Sequence, residues 1–352
     1  MLNRPLSYFI AACLTWTSLA QADPPADIDP TLIPYAQPPL LVQVAPGRTI
    51  HLVCMGHGSP TVIFTAGLGN WSEIWRKVQP SVANRTRACA WDRAGFGLSS
   101  PSPEPQDVAH TTADLEKALK AAHIAGPYIV VGHSLGSYES LLFTDSHPRE
   151  VAGMVLVDPS FPDQDRTIAK GSPINATTIS RMAGEQISDL QACAGKLKSG
   201  EAKPGDPSFA DCLDGNEETF PAELLNRFAR MESDPARYLT QASTIEQAPK
   251  DSILVVNPHR NYGDMPLIVL TAGRAPDFPP EAHIPPEAAK EWSEFVAKGW
   301  LEAHDDIAAL STRGQNLVVA DSAHYIQMIK PQMVIDAIDQ IVVEVRSAGT
   351  PH

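Results

Sequence analysis

The chain has 352 residues, 43% of them hydrophobic, and a formal net charge of −14. That length and apolar content suffice for a large core, built as one α/β domain or as one domain carrying an insertion. The acidic balance argues against nucleic acid and anionic membranes as partners and is neutral toward a small substrate.

The first 22 residues read as an address. Arg4 gives a positive start, "LSYFIAACLTWTSLA" an apolar run, and Ala20-Gln21-Ala22 a small-x-small cleavage site, so residues 1–22 are expected to be a signal peptide and the chain to be exported, periplasmic or secreted. A Pro-rich stretch follows, and no later run is long enough for a membrane span. Cys13 leaves with the leader. Cys54, Cys89, Cys193 and Cys212 remain, an even number in an exported chain, which favours disulfides. No CxxC or HExxH-like pattern is present, so neither a metal nor a cofactor is expected. Triplets at Asn70, Asn84 and Asn175 fit the N-glycosylation pattern, which matters only in a eukaryotic secretory pathway.

Eight apolar runs follow as strands: 40–45, 49–54, 61–65, 87–91, 128–132, 153–157, 266–271 and 316–320. The later ones are continuous rather than alternating, as in strands buried on both faces of a parallel sheet. Helical patterns alternate with them. "TTADLEKALKAAHI" opens on threonine caps and places Leu115, Leu119 and Ala122 on one face; "PQMVIDAIDQIVVEV" starts with Pro331 and stacks Val334, Ile338, Ile341 and Val345. The alternation predicts an α/β fold, a mostly parallel eight-stranded sheet flanked by helices. Residues 158–265 break the rhythm with helical patterns and few strand signals, and are expected to form a helical cap inserted into a core of 23–157 and 266–352.

The stretch "PYIVVGHSLGSYES" passes from strand to helix through Gly132-His133-Ser134-Leu135-Gly136. In a G-x-S-x-G turn the serine sits at a sharp, strained corner, and side chains two residues away on either side would strike the backbone. The turn lifts Oγ clear of the sheet. The following helix aims its free N–H groups and positive dipole end at the same spot. Ser134 is therefore the expected nucleophile.

With this turn, "CAWDRAGFGLSS" (89–100) and "VAGMVLVDPS", nearly all of the chain after the leader resembles the α/β-hydrolase superfamily. The resemblance implies the chain order nucleophile, acid, histidine. His324 in "ADSAHYIQ" stands where the family's general base sits, after the last strand; His147, His259, His283, His304 and His352 read as surface or cap residues. For the acid two positions remain open: Asp158, closing the sixth strand and preferred, and Asp277 in "LTAGRAPDFPP" after the seventh. The oxyanion donors implied are the backbone N–H groups of Leu135 and of Leu68 in "TAGLGNW", where Ala66 replaces the family's usual histidine. Trp71 and Trp75 are candidates for the acyl pocket or for the core. In the family's sheet order the second strand lies beside the fourth, which implies a Cys54–Cys89 bridge; Cys193 and Cys212 flank a cap loop and form the second expected pair.

The function implied is an exported serine esterase working through an acyl-enzyme on a small-molecule ester, or an amide, without a cofactor. Alternatives on the same fold are an aminopeptidase, an acyltransferase, a haloperoxidase-like activity or a catalytically silent binding protein. The sequence carries no signal for oligomeric state.

Overall fold

The computed structural model describes residues 29–348 except 204–205, 207–208, 210–211, 213–219 and 275–284. The expected leader, the alternative acid Asp277, His283 and His352 lie outside the described residues.

The strands are β1 (Leu40–Ala45), β2 (Arg48–Met55), β3 (Thr61–Thr65), β4 (Ala88–Trp91), β5 (Tyr128–His133), β6 (Val151–Val157), β7 (Leu267–Ala272) and β8 (Gly314–Val319). They form one sheet in the order β1-β2-β4-β3-β5-β6-β7-β8. The pairs β1–β2 and β2–β4 are antiparallel, and the remaining neighbours are parallel. The expected eight-stranded, mostly parallel sheet is thus present, with strand ends shifted by one or two residues.

The helices are α1 (Gln79–Ala83), α2 (Val108–Ala121), α3 (Gly136–Ser146), α4 (Gln164–Gly171), α5 (Pro173–Ser199), α6 (Ala222–Met231), α7 (Pro235–Leu254), α8 (Pro286–Phe295), α9 (Leu301–Ala308), α10 (Ile326–Ile329) and α11 (Pro331–Ala348). Successive residues of a strand point to opposite faces, and the central strands use that period to build two cores. Ile63, Val130, Met154 and Leu156 join Leu115 and Leu119 of α2 and Leu141 of α3 on one face. Val62, Phe64, Val131 and Val155 join Val82 of α1 and Val334, Ile338 and Ile341 of α11 on the other.

Two local expectations need correction, and one pattern match is closed. The cap of α2 is Asp107, whose side chain accepts the His110 N–H, rather than the threonines inside the helix. β8 is exposed along most of its length despite its apolar sequence, because it is the sheet's edge and has β7 as its one strand neighbour. Asn175 is 2% exposed, and its Nδ2 donates to Ser172 Oγ and Ala288 O, so this triplet is closed to a glycan.

Between β6 and β7 the described residues hold helices α4 to α7 and no strand. α7 is fastened to the loops after β4: Arg237 Nη1 donates to Gly97 O (3.0 Å), and Asp251 Oδ1 accepts the Val108 N–H (2.9 Å). Glu291 of α8 accepts from Ser172 Oγ and from the N–H groups of Ile174 and Asn175 at the start of α5, so α8 belongs with this helical layer. Disulfides join Cys54 to Cys89, directly opposite one another on antiparallel β2 and β4, and Cys193 to Cys212 at the end of α5. No described helix is long and apolar enough to cross a membrane.

Sequential strands lie on opposite sides of β3: β4 on one, β5 on the other. Such a reversal opens a crevice at the carboxyl ends of the strands, where ligands of open α/β sheets bind.

Candidate active site

β5 ends at His133, and Ser134 follows with φ +50°. A serine in the left-handed region is strained and stays there only when its surroundings hold it. Its N–H donates to Val157 O, and its carbonyl accepts from Ser137 N and Ser160 N, so both β6 and the start of α3 clamp it. The flanking glycines are a matter of space. A Cβ on Gly132 would lie 2.6 Å from Gly136 O, and one on Gly136 would lie 2.5 Å from Thr65 O. β3, β5 and α3 approach so closely that a methyl group has no room at either place.

Asp158 follows β6 directly, also with positive φ (+40°), and is 3% exposed. Its Oδ2 takes a hydrogen bond from His324 Nδ1 at 2.6 Å. Its Oδ1 takes two more, from Ala272 N (3.0 Å) and Trp300 Nε1 (3.0 Å). Burial by itself would raise this carboxyl; the His324 hydrogen bond and charge, the nearby His304 and the Ala272 N–H outweigh it and bring the carboxyl down to about 2. Asp158 is therefore ionised and fixes the proton of His324 on Nδ1, which leaves Nε2 free to accept.

His324 lies beyond β8 in the loop before α10, its side chain 27% exposed. Its backbone carbonyl accepts from His133 Nε2 (3.1 Å), and the two imidazole rings are 4.6 Å apart. Burial first, then the neighbouring His324, push His133 well below the ordinary histidine range, so it is a neutral bracket next to Ser134. Ser134, Asp158 and His324 are thereby gathered at the ends of β5, β6 and β8. Ser134 Oγ makes no hydrogen bond to the His324 ring in this structure, a contact that commonly tightens only when substrate is bound.

The loop after β3 runs against the elbow: a Cβ on Gly67 would stand 2.8 Å from His133 Nδ1 and 3.2 Å from Ser134 Cβ. Among the described residues, neither the Leu68 N–H nor the Leu135 N–H donates to a protein acceptor. Trp75 is fully buried core, whereas Trp71 packs edge-on against Phe228 of α6 at 5.0 Å between centroids.

Sequence reasoning missed several neighbours. His304 is no surface residue: α9 presses it against β7 at 0% exposure, its Nε2–H donating to Pro159 O and its Nδ1 2.8 Å from Thr271 Oγ1. Trp300 closes a π-helical turn (Val296–Trp300) that delivers its indole to Asp158. Both stand more than 140 residues from their partner, with no local pattern to mark them. Arg93 and Glu139 form a buried pair beside the loop after β3; the quoted "DRAGFG" turn was the signal for Arg93.

A family model described as the alpha/beta hydrolase fold matches residues 60–182. The uncharacterized protein YqjL of Bacillus subtilis is 33% identical over 108 residues, 31% of this chain and 43% of YqjL, so the match spans less than half of that relative. An esterase from Thermogutta terrifontis has a TM-score of 0.53 at 18% identity, over 88% of this chain and 99% of the esterase. An epoxide hydrolase from Bacillus megaterium has a TM-score of 0.56 at 15% identity, over 86% and 99%. Likeness at these identities speaks for the fold, and the chain has the α/β-hydrolase fold.

Proposed function

We propose that this chain of α/β-hydrolase fold is an exported serine hydrolase that cleaves carboxylic esters through an acyl-enzyme. The observation that carries the reading is the 2.6 Å hydrogen bond from His324 to a buried, ionised Asp158, formed beside an elbow serine on the neighbouring strand. A hydroxyl needs a base to become a nucleophile, and an imidazole held by a carboxylate supplies one. Ser134 Oγ attacks the ester carbonyl as His324 Nε2 takes its proton. The N–H groups of Leu68 and Leu135 receive the oxyanion. His324 returns the proton to the leaving alkoxide, and a water, deprotonated by the same nitrogen, releases the acid. Asp277 plays no part in this scheme.

Export is supported by the leader-like start and the two disulfides. The helical insertion acts as a cap. A cavity of about 480 Å³ opens among α4, α5 and α7, lined by Ile168, Ile179, Ile187, Ile245, Trp292 and Trp300 among others. Since Trp300 also touches Asp158, an ester with an apolar acyl or alcohol part suits the site best.

The test is hydrolysis of p-nitrophenyl esters of graded chain length beside the matching anilides. Esters should be cleaved, and Ser134→Ala, His324→Ala and Asp158→Asn should each lower kcat by about 10³–10⁴-fold in folded protein. Ester turnover that survives Ser134→Ala would remove the serine from the mechanism.

A further inference from the structure

Arg93 is 3% exposed and Glu139 1% exposed. The guanidinium meets the carboxylate through two hydrogen bonds, Nε to Oε1 (2.5 Å) and Nη2 to Oε2 (3.0 Å). Its remaining donors go to the loop after β3: Nη2 to Ala66 O (2.7 Å) and Nη1 to Gly67 O (3.1 Å). The scheme above uses neither residue.

The identity of the second carbonyl matters. Gly67 C=O and Leu68 N–H belong to one peptide unit, which is planar and trans, so the two bonds point in opposite directions. A cation that grips the oxygen from inside the protein turns the hydrogen outward. It also draws electron density toward the oxygen and makes the N–H a better donor. Ala66 stands where a supporting histidine is usual in the resembling family, and Arg93 reaches the same two residues from the other side. Glu139 lies in α3, five residues after Ser134, and Thr111 Oγ1 of α2 steadies its Oε1 (3.0 Å). One ion pair thus ties the loop carrying Leu68 to the helix that begins beneath the nucleophile.

We infer that Arg93, anchored by Glu139, is a positioning residue that aims the Leu68 N–H at the oxyanion. The inference rests on the serine-hydrolase reading and deepens it. A guanidinium suits the task better than an ammonium, because its planar fork reaches a carboxylate and two carbonyls at once.

The rival account is that the pair only holds the fold. Removing Arg93 alone would strand a buried carboxylate and can unfold the protein, whereas neutralising both partners is far better tolerated. The decisive protein is therefore the double variant Arg93→Met/Glu139→Gln, with Arg93→Lys beside it, assayed on an oxo-ester and its thiono analogue. Sulfur accepts hydrogen bonds poorly, so a defect in oxyanion donation should weigh less on the thiono-ester. The double variant should melt near wild type yet lose about 10- to 100-fold in kcat on the oxo-ester, a part of what deleting an oxyanion donor costs. KM should stay within about twofold, as expected when an interaction made only in the transition state is lost. The loss should be several-fold smaller on the thiono-ester, and Arg93→Lys should recover part of it. A folded double variant with wild-type kcat, or equal losses on both esters, would overturn the inference. Wild type that turns over neither ester would overturn the hydrolase reading and the inference with it, an outcome distinct from a variant matching an active wild type.

Discussion

Asp158 shows how much one side chain can be asked to hold. It sits at positive φ, almost wholly buried, and accepts from a histidine, an indole and a backbone amide. Lowering its carboxyl from 3.8 to about 2 makes Asp158 a source of stability as well as of orientation. A depressed carboxylate contributes fully above its unfolded value and loses the contribution as pH falls through its folded value. The window here runs from about 4 down to about 2, and the linkage is worth about 2 kcal/mol. Denaturant unfolding of wild type and Asp158→Asn should therefore differ most above pH 4 and converge toward pH 2. A gap that ignores pH would mean that the carboxylate is not held by charge. Ser134 and Gly132 could be read from the sequence because the constraint on them is local: a turn, a strand and a helix within a dozen residues. The glycine at 136 obeys a longer-range rule, the carbonyl of Thr65 in β3, but the same motif encodes it.

Elements explain what the sequence did not reveal. The eight strands were legible as apolar runs, since burial between helical layers demands them; which run would become the exposed edge was not, because Leu317-Val318-Val319 of β8 read like the buried run of β7. Asp158 and Asp277 stood as rivals for a like reason: spacing in sequence does not say where His324 will lie, and the fold brings it to Asp158 at the end of β6, while Asp277 lies outside the described residues. The π-helical turn before α9 is a second case. π turns recur at functional sites, and this one sets Trp300 against both the cavity among α4, α5 and α7 and Asp158. Trp300→Phe keeps an aromatic ring against Phe161, whose centroid is 5.3 Å away, and deletes only the N–H. The variant should fold, lose about 1–3 kcal/mol of stability for the missing bond to a charged acceptor, and show kcat reduced by roughly tenfold with Asp158 less well oriented. Unchanged kcat together with unchanged stability would show that the indole N–H contributes nothing to the acid.

At the scale of the molecule, the parallel sheet reverses its winding around β3, and that reversal puts the elbow after β5 against the loop after β3. α7, between β6 and β7, is docked through Arg237 onto Gly97 after β4 and through Asp251 onto Val108 at the start of α2. Leu68, the Ser134–Leu135 turn, Asp158 and His324 thus come from four separate segments, after β3, β5, β6 and β8, brought together by the topology rather than by nearness in sequence. The whole account stands on Ser134 being a nucleophile activated in place, and covalent labelling tests that most directly. The chain is treated with a fluorophosphonate and the modified residue located by peptide mass mapping. Wild type should carry one adduct, on Ser134, and Ser134→Ala should carry none; His324→Ala should label far more slowly. A folded wild-type protein that stays unlabelled, or an adduct on any other residue, would contradict the account.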